Sequence, residues 1–307
     1  MLSVLIPVYK FDVRKLVHQI IEQCNLCQIQ YEVILLNDAS GASFEFIFDE
    51  LKFESSVRLF ENETNCGRAA SRNRLYNLAT YDWLLFLDCD VQLIHSNFIR
   101  NYLEAIQSNK NSVYYGSCCY DKIPPTSLQL KLHWKYGIYR ENPPISKRKA
   151  NPYQTFHTVN FIAHRSILKA FPFDESLSIY GHEDSLWAKT LETNSIQIAQ
   201  IENEVLHIGL YNSRIFLRKT ASSIKNLLLL EFHKKNLNTK LQSTLKIIQS
   251  LIPSWILFKV YKRLERKLVQ NLLSNDPKLI YLDIYKVGLY LRFRKKYTAY
   301  LRTKSVN

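Results

Sequence analysis

Between residues 4 and 87 the chain repeats one unit: a short apolar run, an amphipathic stretch, then another apolar run. That repetition is the strongest constraint on the fold. Short runs linked by helical crossovers form a parallel sheet, because only a crossover helix carries the chain back to start a parallel neighbour. Residues 4–8 read as the first strand. Val13, Leu16, Val17, Ile20, Ile21 and Cys24 then recur at helical spacing behind Asp12, the predicted N-cap. Residues 32–36 and 57–60 read as the next strands, with Phe44, Ile47, Phe48 and Leu51 lining a helix between them and 68–79 forming another helix. Residues 83–87 are an unbroken apolar run that stops at Asp88-Cys89-Asp90. A buried central strand ends this way at the carboxyl edge of a sheet, where open α/β folds bind ligands.

Further along, a helix is expected at 97–107 and a strand at 113–118. Pro124-Pro125, Pro143-Pro144 and Lys147-Arg148-Lys149 predict a long, partly mobile loop over 120–152. Residues 185–191 predict a helix, 196–201 and 205–208 strands, and everything after Tyr211 is helix-rich. Charge divides the 307 residues sharply. Residues 1–210 hold 20 Lys+Arg against 23 Asp+Glu, a net −3, whereas 211–307 hold 21 against 4, a net +17. Two parts with different partners are therefore expected: a near-neutral body over 1–210 and a basic appendage over 211–307 suited to an anionic surface.

Apolar residues at 47% and only 7 Gly and 9 Pro exclude a disordered or collagen-like chain. Six cysteines in this length are too few for a disulfide scaffold and fit a reducing compartment. The start Met1-Leu2-Ser3-Val4-Leu5-Ile6-Pro7 lacks the marks of a secretory signal, and no apolar run reaches the roughly 18–20 residues of a bilayer crossing. Cys24-Asn25-Leu26-Cys27 has no second cysteine pair at zinc spacing, so Cys24 is read as a core thiol. Glycine-rich phosphate loops and serine-nucleophile elbows are also missing, which argues against kinases, dinucleotide dehydrogenases and serine hydrolases.

Asp88 and Asp90, two apart at a strand end, suit a divalent cation shared with phosphate oxygens, or else form a solvated turn. Several further segments join them in order. Ser3-Val4-Leu5-Ile6-Pro7-Val8-Tyr9 is one, although Lys10 follows where Asn is usual. Glu32-Val33-Ile34-Leu35-Leu36-Asn37-Asp38-Ala39-Ser40 is the second, with Asn37 in place of the first of two usual aspartates. Asn65-Cys66-Gly67-Arg68-Ala69-Ala70-Ser71-Arg72-Asn73, Leu87-Asp88-Cys89-Asp90, Gly181-His182-Glu183-Asp184 and Val205-Leu206-His207 complete the set.

Together these segments resemble the inverting glycosyltransferases of family 2, over about residues 1–210. The resemblance implies the GT-A fold: a Rossmann-like, mostly parallel sheet flanked by helices, here with a basic helical appendage. It implies a UDP-sugar donor held by Pro7, Tyr9, Asp38, Gly67, Arg72, Asp88 and Asn160, and Mn²⁺ or Mg²⁺ held by Asp90 and His207. Asp184 would be the general base, with Glu183 and His182 binding the acceptor or orienting that base. The residues alone leave other readings open: Asp38 building an Asx-turn with Ser40, Asp184 and Glu183 capping a helix, and His207 a core histidine. Residues 156–160 compare with the family's donor-sugar loop but lack its glycine.

In the basic region, 255–272 set at 100° per residue places Leu257, Val260, Tyr261, Leu264, Leu268 and Leu272 on one face, and Lys259, Lys262, Arg263, Arg266 and Lys267 on the other. Such a helix lies in a membrane interface or packs on the body. The expectation is a cytoplasmic enzyme, peripheral on the inner face of the cytoplasmic membrane, acting on a saccharide or lipid-linked saccharide in surface polysaccharide assembly. Nucleic acid fits the charge but has no motif behind it. Two rivals are kept: a non-catalytic basic binding protein on a degenerate transferase fold, and a nucleotidyltransferase.

Overall fold

A computed structural model describes residues 1–176, 180–235 and 237–304. Ten strands are assigned among them: β1 (Leu2–Val8), β2 (Tyr31–Asn37), β3 (Val57–Glu61), β4 (Trp83–Leu87), β5 (Val91–Leu93), β6 (Ser112–Tyr115), β7 (Cys118–Cys119), β8 (Asn160–His164), β9 (Gln197–Gln200) and β10 (Val205–His207). The helices are α1 (Arg14–Leu26), α2 (Glu45–Leu51), α3 (Gly67–Leu78), α4 (Phe98–Ala105), α5 (Lys131–Tyr136), α6 (Ile145–Ala150), α7 (Arg165–Ala170), α8 (Glu183–Thr193), α9 (Ser213–Phe232), α10 (Lys240–Leu251), α11 (Ser254–Leu272) and α12 (Leu279–Lys304). Two compact units result: Met1–Asp121 with Ile138–Ser178 and Glu183–Gly209, and Lys122–Gly137 with Ile179–His182 and Leu210–Asn307. The segments around 122–137 and 179–182, read from sequence as part of the body, thus go with the basic region.

The first unit is built on a seven-stranded sheet of order β3-β2-β1-β4-β8-β6-β9. β1, β2, β3 and β4 are mutually parallel, as the alternation predicts, and β8 runs antiparallel between β4 and β6. β1, β2 and β4 are buried almost without interruption, because helices cover both faces. A second sheet, β5-β10-β7, sits beyond the end of β4.

Three local expectations change. The N-cap of α1 is Val13, although Asp12 still accepts the Arg14 amide at 3.1 Å. The strand expected over 113–118 breaks at Gly116-Ser117 into β6 and β7, which join different sheets. The stretch 120–152 is not one long loop, since α5 and α6 form within it. The basic Lys147-Arg148-Lys149 is not solvated throughout: Arg148 is buried and pairs with Glu204 at 2.7 Å.

The second unit packs on its own clusters, one around Ile224, Leu228, Leu245 and Leu289, another around Leu132, Phe216, Leu272 and Leu282. The apolar stripe expected on α11 divides. Tyr261, Leu268 and Leu272 are buried, and Leu257 packs against the first cluster. At Gly288 on α12 there is no room for a Cβ, because it would overlap the Tyr261 ring. The Tyr261 hydroxyl donates to Glu265 at 2.9 Å, and Glu265 also pairs with Arg292 of α12. No described helix is long and apolar enough to cross a membrane.

Candidate active site

The carboxyl edge of β4 organises the site. After Leu87 the chain turns through Asp88, Cys89 and Asp90 into β5, and the two carboxylates separate. Asp88 Oδ1 accepts from Arg72 Nη2 at 2.8 Å. Arg72 comes from α3 and is fully buried, so Asp88 balances a charge that would otherwise be costly there. Its Nε and Nη1 have no hydrogen-bond acceptor among the described residues. Such donors are normally satisfied, so the guanidinium keeps unused hydrogen-bonding capacity beside Asp88.

Asp90 is met from the other side. β10 pairs antiparallel with β5, in a register that sets His207 opposite Val91. Although far apart in sequence, His207 Nε2 and Asp90 Oδ2 are 3.6 Å from each other. The Ile208 amide donates to the Asp90 carbonyl at 2.9 Å. Two residues after His207 the backbone passes so close that a Cβ on Gly209 would overlap the Asp90 carboxylate. Tyr120 stacks on the His207 ring with centroids 5.2 Å apart, and its hydroxyl bonds Glu141. One carboxylate and one imidazole suit a Mn²⁺ or Mg²⁺ ion whose other ligands are phosphate oxygens and water. Among the described residues no third His, Cys, Asp or Glu joins them.

Asp38, at the end of β2, is 5% exposed and holds the start of α3. Its Oδ1 accepts from Asn62 Nδ2 at 2.7 Å and from the Cys66 amide at 2.8 Å, and its Oδ2 from the Gly67 amide at 3.1 Å. Gly67 takes φ +81°, a conformation that favours glycine. The Ser40 amide is held not by Asp38 but by Asn37, whose Oδ1 accepts it at 3.0 Å. Tyr9, just beyond β1, is 46% exposed, and Pro7 lies within the strand.

Asp184 stands in the first turn of α8. Its Oδ1 accepts the Ser185 amide at 2.7 Å, and its Oδ2 lies 3.0 Å from His157 Nδ1. Burial lowers the pKa of His157, but the hydrogen bond and charge of Asp184, with Glu141 and Asp88, outweigh that and raise it above its ordinary value. Glu183 sits 3.7 Å from Arg68 of α3. His182 belongs to the second unit, where its Nε2 is 3.0 Å from Ser223 Oγ.

Asn160 does not fit the donor-binding role implied for it. It is fully buried, its Nδ2 donates to the carbonyls of Ser117 and Asn203 at 2.9 and 2.8 Å, and its Oδ1 accepts from Tyr102 at 2.6 Å. Those bonds lock β8 to the β6–β7 break and use both hydrogens of its amide, so it has no donor left for a ligand. Cys24 is buried, which pushes its thiol up to about 12, aided by Cys27, so no thiolate is available there near neutral pH.

The profile of the family described as Glycosyl transferase family 2 matches residues 3–177, more than half of the chain. The chain belongs to glycosyltransferase family 2. This family 2 chain is also 32% identical to an uncharacterized glycosyltransferase of Haemophilus influenzae over 123 residues, which make up 39% of this chain and 40% of that one. The alignment thus spans less than half of the relative. Among solved structures, S. aureus TarS 1-349 in complex with UDP superimposes with TM-score 0.50 at 16% identity, covering 97% of this chain and 91% of TarS. TarS 1-349 without that ligand gives 0.51 at the same identity and coverage. At this identity the likeness concerns the fold, which is the GT-A architecture expected from the motifs.

His157 is the site residue whose position the motifs did not disclose. It lies in the segment compared with the donor-sugar loop, 27 positions before Asp184, and no local pattern in either segment announces the pairing.

Proposed function

We propose that this family 2 chain is an inverting glycosyltransferase that moves a sugar from a UDP-sugar to a saccharide or lipid-linked saccharide acceptor in surface polysaccharide synthesis. The observation that carries the reading is the approach of His207 to Asp90 at the edge of β4. These two residues would hold Mn²⁺ or Mg²⁺, and the cation, when bound, would neutralise charge developing on the departing diphosphate. The unpartnered Nε and Nη1 of Arg72 would donate to a phosphate or ribose oxygen, and Asp88 keeps that guanidinium in place. The second lone pair of Asp38 Oδ2 suits a base N–H such as that of uracil. That TarS binds UDP accords with a uridine donor.

Inversion needs an acceptor hydroxyl to attack from the side opposite the diphosphate, with its proton passing to a base. Asp184 is that base in this reading. Its carboxylate is held by the Ser185 amide and by His157, which fixes the oxygen that takes the proton. The +17 region after residue 210 supports work at an anionic membrane surface, next to a lipid-linked acceptor. A screen of nucleotide sugars with Mn²⁺ tests the reading. Release of UDP that depends on donor and metal is expected. Release of pyrophosphate would mark nucleotidyl transfer, and no release from any nucleotide sugar would leave a binding protein on a transferase fold.

A further inference from the structure

The turn between α10 and α11 is apolar and exposed. Ile247 is 65% exposed, Leu251 78%, Ile252 40% and Trp255 68%. Ile247 and Leu251 lie one turn apart on the same face of α10, and Trp255 opens α11. The turn is built rather than loose. The Ile252 amide donates to Ile248 at 2.9 Å, the Ile256 amide to Pro253 at 3.0 Å, and Gln249 Nε2 to Ser254 Oγ at 2.9 Å. These bonds hold the apolar tip in shape, so it can sit at the boundary between headgroups and acyl chains, where water still reaches the uncapped first amides of α11.

The surroundings say what that medium is. Lys246, Lys259, Lys262 and Arg263 are all exposed around the turn, and Trp255, Lys259, Lys262 and Arg266 follow at spacings of 4, 3 and 4 along one stripe of α11. Between 240 and 272 there are seven Lys+Arg and one acidic residue, Glu265, which is already held by Arg292 and Tyr261. A ring of one sign repels a second copy of the chain, and lysine is scarce in protein interfaces. A tryptophan and aliphatic tip ringed by lysines instead suits the boundary between headgroups and acyl chains.

We propose that the turn over residues 247–255 is the point at which the chain inserts into an anionic lipid surface, with Leu251, Ile252 and Trp255 below the headgroups and Lys246, Lys259, Lys262 and Arg263 against the phosphates. The inference rests on the membrane reading above and replaces its apolar stripe, because Tyr261, Leu268 and Leu272 are buried in the second unit.

The test uses the full chain and phosphatidylcholine vesicles with and without phosphatidylglycerol. Wild type should float with the anionic vesicles, and brominated lipid should quench its tryptophan fluorescence. The triple variant Leu251→Ser/Ile252→Ser/Trp255→Ser should partition on the order of 10-fold less well while unfolding at the same temperature. Should that variant fold poorly, Trp255→Phe decides alone, since it should bind yet lose most of the quenching. If wild type binds while the triple variant binds equally and Trp255→Phe stays quenched, the membrane reading stands and the turn is not the insertion point. If wild type ignores anionic vesicles, both fail. Self-association of wild type in the absence of lipid, lost in the triple variant, would make the turn an interface between copies and overturn the inference.

Discussion

His157 Nδ1 lies 3.0 Å from Asp184 Oδ2, linking the segment before β8 to the first turn of α8. The other oxygen, Oδ1, accepts from the Ser185 amide at 2.7 Å and from the Ser185 hydroxyl at 3.4 Å. A base restrained in this way keeps a lone pair aimed in one direction, which favours proton transfer over a swinging carboxylate. We expect His157→Gln to lower kcat about 10-fold with the donor KM unchanged, because on the proposed reading the residue positions the base. Steady-state kinetics with the donor varied checks the split.

The same pair sets a pH dependence of stability. The folded-state pKa of His157 is raised, so its contribution is complete below the unfolded value of about 6.5 and is lost as pH rises through the folded value. The stability difference between wild type and His157→Ala, measured by urea unfolding, should therefore shrink as pH rises through the raised His157 value.

Asp184→Asn keeps the shape of the side chain and removes the proton acceptor. Turnover should fall by about 10² to 10⁴ while UDP affinity is retained. Single-turnover kinetics beside calorimetric UDP binding separates the two, and normal turnover would reduce Asp184 to a helix cap.

At Gly209 the constraint is space. Gly209→Ala pushes a methyl group into the Asp90 carboxylate and should cost about 1–3 kcal/mol of stability, as overpacking does. It should also weaken Mn²⁺ binding measured with UDP present. Arg148→Ala tests the pair between α6 and Glu204: it removes the partner of a partly buried carboxylate and should destabilise by about 2–3 kcal/mol in urea unfolding, with little effect on metal binding.

The strands of the parallel half were legible because β1, β2 and β4 are continuous apolar runs with a helix period between them, but their order was not, since it runs β3-β2-β1-β4 and not along the chain. β8 was missed as well: no strand was expected over Asn160–His164, whose start falls in the segment compared with the donor-sugar loop, and an antiparallel pairing leaves no mark in a single strand. The break at Gly116-Ser117 was hidden because both halves are apolar. Asp90 and His207 could be named from their motifs, but their approach depends on the β5–β10 register, which is a tertiary fact. Asn160 misled for the opposite reason: its place in a motif said nothing of Tyr102, Ser117 and Asn203, which consume its amide. On α11 the helical period was correct and the partner was not legible, because a stripe such as Tyr261, Leu268 and Leu272 reads alike whether lipid or α12 covers it.

The most direct test measures UDP released from UDP-sugars by wild type, Asp90→Ala and His207→Ala, each with Mn²⁺ and with excess chelator. The account predicts release by wild type with Mn²⁺, none in chelator, and loss in both variants while circular dichroism remains native. Undiminished release in excess chelator, or from Asp90→Ala, would contradict it.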